Sequence, residues 1–228
     1  MKAPFTVGQF MDVFKSYNES VFPMQIVFYL IALVAIYFAV KPDPASDKII
    51  SGILAFFWLW MGAVYHLAFF TSINNAAFLF AALFIAQGIL FVLSGVIQHK
   101  LSFRLQNDVY GLTGIAFILF ALVVYPVLGY FNGHIYPSSP TFGLPCPTTI
   151  FTFGFLLLSD KKIPFFIATI PVIWSLVGFT AAINFGIIED TGLLIAGVFG
   201  FMLLLIKNKS SVKKISELLK SSDEHELQ

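Results

Sequence analysis

The chain has 228 residues, of which 58% are hydrophobic and only 11% charged. Soluble domains carry about 25% charged residues, so an ordinary soluble globule is excluded. A net charge of +1 without an extended basic stripe excludes nucleic acid as a partner. The single cysteine excludes an intrachain disulfide and any cysteine-cluster metal site.

In chain order, the first element is a short amphipathic helix over about 6–20. Thr6 and Gln9 fit a capping box, and Phe5 with Phe10 fits a hydrophobic staple. Phe10, Phe14, Tyr17 and Val21 recur at helical spacing, an apolar stripe suited to the membrane surface. No cleavable signal peptide is expected: the apolar run starts only at Val21 and no Ala-x-Ala site follows it.

A span needs roughly 20 mostly apolar residues. The stretches 22–40, 49–70, 76–97, 109–130 and 163–187 qualify, and 191–206 is shorter but free of charge. The stretch 142–159 carries Pro145 and Pro147 near its start, and the positions of basic residues decide it. Cytoplasmic loops are rich in Lys and Arg. With seven spans and the N-terminus outside, the inner segments hold Lys41, Lys48, Lys100, Arg104, Lys161, Lys162 and every lysine from Lys207 to Lys220. The outer loops 71–75, 131–141 and 188–190 hold none. The expected protein is therefore an all-α integral membrane protein with seven transmembrane helices, N-terminus outside and C-terminus inside. A single membrane domain covers 1–207, and a basic amphipathic cytoplasmic tail covers 208–228.

A shift of 114 residues, the distance from Lys48 to Lys162, also aligns Trp60 with Trp174 and Ala82 with Ala196. This suggests a 3+1+3 arrangement of parallel repeats, one known transporter plan. The last helix has no lysine for a retinal Schiff base. The small-residue rows Gly192, Ala196, Gly200 and Ala82, Ala86 predict close helix packing. Pro126 and Pro171 predict kinks. No span holds Asp, Glu, Lys or Arg in its interior, which argues against a proton pump with a carboxylate relay.

Reactive side chains collect in the outer third. The cavity candidates are His66, Tyr65, Trp58, Tyr125, Cys146, Thr149, Asn184 and Glu189. In Leu144-Pro145-Cys146-Pro147-Thr148-Thr149, Pro147 suits the first helical position. That makes Cys146 the N-cap, where the helix dipole favours the thiolate. Cys146 and His66 are then candidates for a soft metal or haem. Asp190 is read as the cap of the last helix, leaving Glu189 free to pair with a ligand cation.

Three portions carry a resemblance: Phe14-Lys15-Ser16-Tyr17-Asn18-Glu19-Ser20-Val21-Phe22-Pro23-Met24-Gln25, the block 58–66 with Trp58 and His66, and Pro145-Cys146-Pro147-Thr148-Thr149. They resemble domain-of-unknown-function family 6064, an uncharacterised family of small bacterial multi-pass membrane proteins. The resemblance spans nearly the whole chain and implies a bacterial inner (cytoplasmic) membrane protein. It implies no established activity and no functional residues. Members are sometimes labelled permeases, a label drawn from hydrophobicity.

Three readings stay open. The first is a permease-like transporter with an outward-facing polar cavity. The second is a membrane-embedded enzyme or a metal- or haem-binding protein using Cys146 and His66. The third is a structural or assembly partner without a site of its own. The partners expected are the lipid bilayer and a small-molecule or soft-metal ligand at the outer face.

Overall fold

The computed structural model describes residues 4–209, and among them the fold is all-α, with only isolated β-bridges besides helices. Helix α1 (Val7–Val21) starts at Thr6, whose hydroxyl accepts from Gln9 N while Gln9 Oε1 accepts from Thr6 N. Phe5 packs on Phe10 at 5.6 Å between centroids, so capping box and staple both form as expected. The chain then bends by 81° into α2 (Met24–Val40). There follow α3 (Ser46–Ser72), α4 (Ala77–Ile97), α5 (Val109–Phe131), α6 (Pro145–Leu157), α7 (Phe165–Phe185) and α8 (Ile188–Lys209).

Each expected apolar stretch contains a helix, and α2 to α8 pack together, with polar contacts gathered at two ends of the bundle. At one end Arg104 pairs with Asp47 at 2.6 Å, Lys161 Nζ reaches His99 O, and Lys207 Nζ donates to Leu157 O. At the other, Tyr17 OH donates to Gly143 O, Asn18 Nδ2 donates to Pro137 O and Ser139 O, and Phe5 stacks on Phe185. Five helices (α3, α4, α5, α7 and α8) are long and apolar enough to cross a membrane, and the bent α1–α2 pair brings the number to six. Leu112 is 67% exposed, Ile183 70% and Phe131 80%, an outer surface suited to lipid.

Helix α6 departs from the expected span 142–159. It has 13 residues, a rise of about 20 Å against a hydrocarbon core of roughly 30 Å. Every residue in it except Cys146 is buried, as suits a helix apolar on all sides. The approach to it, Phe142 to Leu144, is also buried but not helical. Gly143 adopts φ +99°, and a Cβ there would lie 2.2 Å from the Phe28 ring. Such backbone is tolerated at membrane depth only where protein covers it.

Small residues set the helix crossings. A Cβ on Gly154 would lie 2.7 Å from Gly114 O, and one on Gly114 would lie 2.8 Å from Gly154 O, so α5 and α6 touch backbone to backbone. Gly192 fits against the Phe120 ring and Gly200 against Phe117, as the small-residue row predicts. In α4 the expected pair Ala82 and Ala86 is exposed instead. The packed face runs through Ala81 and Gly88, the latter against Leu59 and Ala55 O. The physical reason is the neighbouring bulk: Phe84 and Phe91 are fully buried and fix which face turns inward.

Among the described residues four helices contain a π-helical stretch, at Met61–Phe69, Val92–Ile97, Phe120–Val124 and Ala196–Gly200. The stretch in α5 ends just before Pro126, whose missing N–H disturbs the helical ladder there. The wide turn in α3 brings the consecutive residues Tyr65 and His66 both inside.

The apolar stripe of α1 faces the bundle and not a membrane surface. Phe10, Val13, Phe14 and Tyr17 are buried, and Trp60 Nε1 donates to Tyr17 OH at 2.9 Å. Buried Asn18 holds the loop before α6, accepting from Thr141 Oγ1 at 2.8 Å. The two tryptophans aligned by the 114-residue shift sit in different settings: Trp60 bonds to Tyr17, whereas Trp174 Nε1 has no partner. The expected amphipathic tail from residue 210 onward lies outside the described residues.

Candidate functional site

A cavity of about 120 Å³ opens at the α1 end of the bundle. Half of its lining residues are aromatic, among them Phe10 and Phe14 from α1, Tyr65 and Phe70 from α3, Phe80 from α4, and Phe185 from α7. The aromatic stripe of α1, needed to seal that helix onto the bundle, thus also covers the cavity.

Polar groups meet at one place in this wall. Tyr125 OH, from α5, donates to Asp190 Oδ1 at 2.5 Å. The Cys146 thiol, from α6, lies beside the same carboxylate and beside the Trp174 indole. Trp174 Nε1 is buried without an acceptor in hydrogen-bond geometry. A Cβ on Gly178 would sit 3.4 Å from Cys146 Sγ and 3.5 Å from Trp174 Nε1. Trp174 and Gly178 share a face of α7 at i, i+4, so the glycine leaves space beside the indole nitrogen. Tyr125, Cys146, Trp174, Gly178 and Asp190 all line the cavity.

The acidic pair differs from its expected form as an outer loop. Ile188–Asp190 is a tight 3-10 turn, and Glu189 and Asp190 are 1% and 2% exposed. Successive residues of such a turn point in different directions. Asp190 faces the cavity and makes no side-chain cap bond to α8. Glu189 Oε1 lies 2.7 Å from His134 Nδ1, so it is already paired. Gly129 leaves room for it, since a Cβ there would lie 2.9 Å from Glu189 Oε1. By sequence position both acids read as an outer loop after an apolar helix.

Cys146 is not the N-cap. Helix α6 begins at Pro145 and its N-cap is Leu144, so Cys146 is the second helical residue. Either proline can start a helix, because neither needs its missing N–H there. Burial of the chain from Phe142 selects the earlier one. The thiol is half-buried in the cavity wall, beside a carboxylate.

Of the eight candidates, Tyr65, Tyr125 and Cys146 line the cavity. Glu189 stands behind it in the pair with His134. Trp58 Nε1 donates to Thr152 Oγ1 at 3.0 Å, and Thr149 Oγ1 donates to Pro145 O at 2.7 Å. Asn184 is exposed and donates to Thr180 O. His66 is fully buried among rings, 4.6 Å from Phe84 and 5.2 Å from Trp174 between centroids, and neither ring nitrogen finds a partner. Among the described residues no group of three or more His, Cys, Asp and Glu side chains could hold a metal ion. Sequence reasoning missed Trp174 and Gly178 as site residues; their i, i+4 spacing across from the Cys146 segment was the available signal.

The arrangement offers a buried carboxylate, an indole N–H donor and aromatic faces around a space for a small molecule. A family model described as "Family of unknown function (DUF6064)" matches residues 7–214. No curated protein and no solved structure matches the chain.

Proposed function

The chain belongs to the family of unknown function DUF6064, and since membership carries no chemistry, we propose from the site itself a permease-like membrane protein that takes a small solute into the aromatic cavity. The observation that carries this reading is the wall of that cavity: apolar almost throughout, with Asp190 and Trp174 Nε1 as convergent polar groups. Ligand sites are typically such concavities with a few placed polar groups. Membrane carriers also build them where a helix begins inside the bundle after irregular backbone, and α6 begins that way after Gly143.

In this reading all seven passes from α2 to α8 lie in a bacterial inner membrane, α6 shielded by its neighbours. The lysine-rich end is cytoplasmic, so the cavity opens outward beneath α1. The test is osmotic swelling of proteoliposomes in a graded series of small neutral and charged solutes. Wild-type vesicles should swell faster than protein-free ones for solutes that fit the cavity. Val177→Phe, which adds a ring to the cavity wall, should abolish the difference. Equal swelling of wild-type and protein-free vesicles across the series would end the transport reading.

A further inference from the structure

We propose that the cavity takes a small organic ammonium ion bearing a hydrogen-bond acceptor two or three bonds from its nitrogen, with the ammonium at Asp190 and the acceptor at Trp174 Nε1. The proposal rests on the cavity being a binding site, and it names the chemistry of the occupant.

Charge supplies the first argument. A buried carboxylate is costly unless a counter-charge accompanies it. Asp190 is 2% exposed, and the groups beside it, Tyr125 OH and the Cys146 thiol, are neutral. Among the described residues Arg104 pairs with Asp47, at the far end of the bundle, and His134 contacts Glu189, so neither reaches Asp190. An ammonium entering the cavity supplies the positive charge. The walls favour the same sign, because aromatic faces such as those of Phe10, Phe14, Tyr65 and Phe70 attract a cation.

The indole supplies the second argument, independent of the first. Trp174 is 8% exposed, lines the cavity, and leaves its N–H without an acceptor. Buried donors are nearly always satisfied, so the occupant brings a lone pair. An anion would satisfy the indole but meet the Asp190 charge. An uncharged oxygen satisfies one group without offending the other. Asp190 and Trp174 flank the same Cys146 thiol, so the two groups they recognise are near neighbours in the ligand. Size closes the argument. A cavity of about 150 Å³ holds a benzene molecule, so 120 Å³ suits a ligand of about six non-hydrogen atoms or fewer. A 2-aminoethanol unit has this pattern, whether as a free solute or as a phospholipid headgroup.

The test uses the full chain in phosphatidylcholine nanodiscs and calorimetric titration with three near-isosteric probes. 2-Aminoethanol offers both groups, propylamine only the ammonium, and propan-1-ol only the oxygen. Binding should fall in that order, with propylamine weaker than 2-aminoethanol by about fivefold and propan-1-ol weaker by tenfold or more, as the loss of a neutral and a charged hydrogen bond implies. Asp190→Asn should abolish binding of both amines. Trp174→Phe should erase the preference for 2-aminoethanol over propylamine. Equal binding of propan-1-ol and 2-aminoethanol to the wild-type chain overturns the proposal, and that comparison depends on no variant. Repeating the titration with phosphatidylethanolamine in the nanodisc identifies the source: competition names the lipid headgroup, and undiminished binding names the free solute. If binding holds and vesicle swelling fails, transport alone is refuted. If swelling holds and the probe order fails, the ammonium assignment alone is refuted.

Discussion

Replacing Gly154 by alanine tests the packing that seats the site. The new methyl group would lie 2.6 Å from Ile118 Cγ1, 2.7 Å from Gly114 O and 3.2 Å from Ile118 N. Two of these neighbours are backbone atoms of α5 and cannot swing aside. Relief requires α5 and α6 to part by roughly half an ångström, and overpacking of this kind costs about 1–3 kcal/mol. Alanine regains up to about 1 kcal/mol of helix propensity over glycine, so the net loss is about 0–2 kcal/mol. Gly52 in α3 is the internal control, since nothing lies within 4 Å of the Cβ it lacks. Gly52→Ala therefore keeps the propensity gain without the clash. Thermal unfolding in mild detergent, followed by tryptophan fluorescence, should place Gly154→Ala below wild type and Gly52→Ala at or above it. At roughly 2–4 °C per kcal/mol for a chain of this size, the two variants should differ by several degrees. A Gly154→Ala protein as stable as Gly52→Ala would refute the close α5–α6 crossing. Because α6 carries Cys146 to the cavity, the destabilised variant should also show altered reactivity of that thiol.

Three further outcomes follow from other contacts. His134→Ala takes away the 2.7 Å partner of buried Glu189 and leaves it the 3.5 Å contact from Asn132 Nδ2, which should cost about 1–3 kcal/mol, the loss when a buried polar group goes short of a hydrogen bond; Glu189→Gln should be milder, and the reverse order in thermal unfolding would refute the pairing. The double variant Phe10→Ala/Phe14→Ala opens the cover formed by α1, so a water-soluble maleimide should alkylate Cys146 several-fold faster than in wild type; an unchanged rate would mean that α1 does not shield the thiol. Cysteines introduced at the exposed positions Asn132 and Lys161 should react with an impermeant reagent from opposite sides of the membrane, and labelling of both from one side would remove α6 as a pass.

Helix existence was legible because apolar length is a property of the local chain: every expected stretch from 22–40 onward became a helix. The capping box at Thr6 was legible for the same reason. Partnership was less so. The stripe on α1 is equally good for lipid or for protein, and only the presence of Tyr65, Phe70 and Phe185 opposite decides that it faces protein. In α4 alanines occupy adjacent positions, so composition could not choose between Ala81 and Ala82 for the packed face. The site suffered most from treating charge as a mark of water. Glu189 and Asp190 look like a solvated loop until Tyr125 and His134, more than fifty residues earlier, are brought against them. Cys146 and Tyr65 were found from depth and residue type, whereas Trp174 gained its meaning only from what it fails to bond.

The enclosure of α6 bears on how the protein is made. A segment of 13 residues offers the insertion machinery too little length to hold the bilayer by itself, and its two prolines and three threonines add to the difficulty. It reaches the ribosome exit before α7 and α8, which supply part of its surroundings. Truncated chains ending near Asp160 should therefore expose α6 to proteases or chaperones, while chains reaching Lys209 should protect it. Maturation of this end of the bundle is thus a late, cooperative event, in which the last two helices fix the place of one synthesised before them.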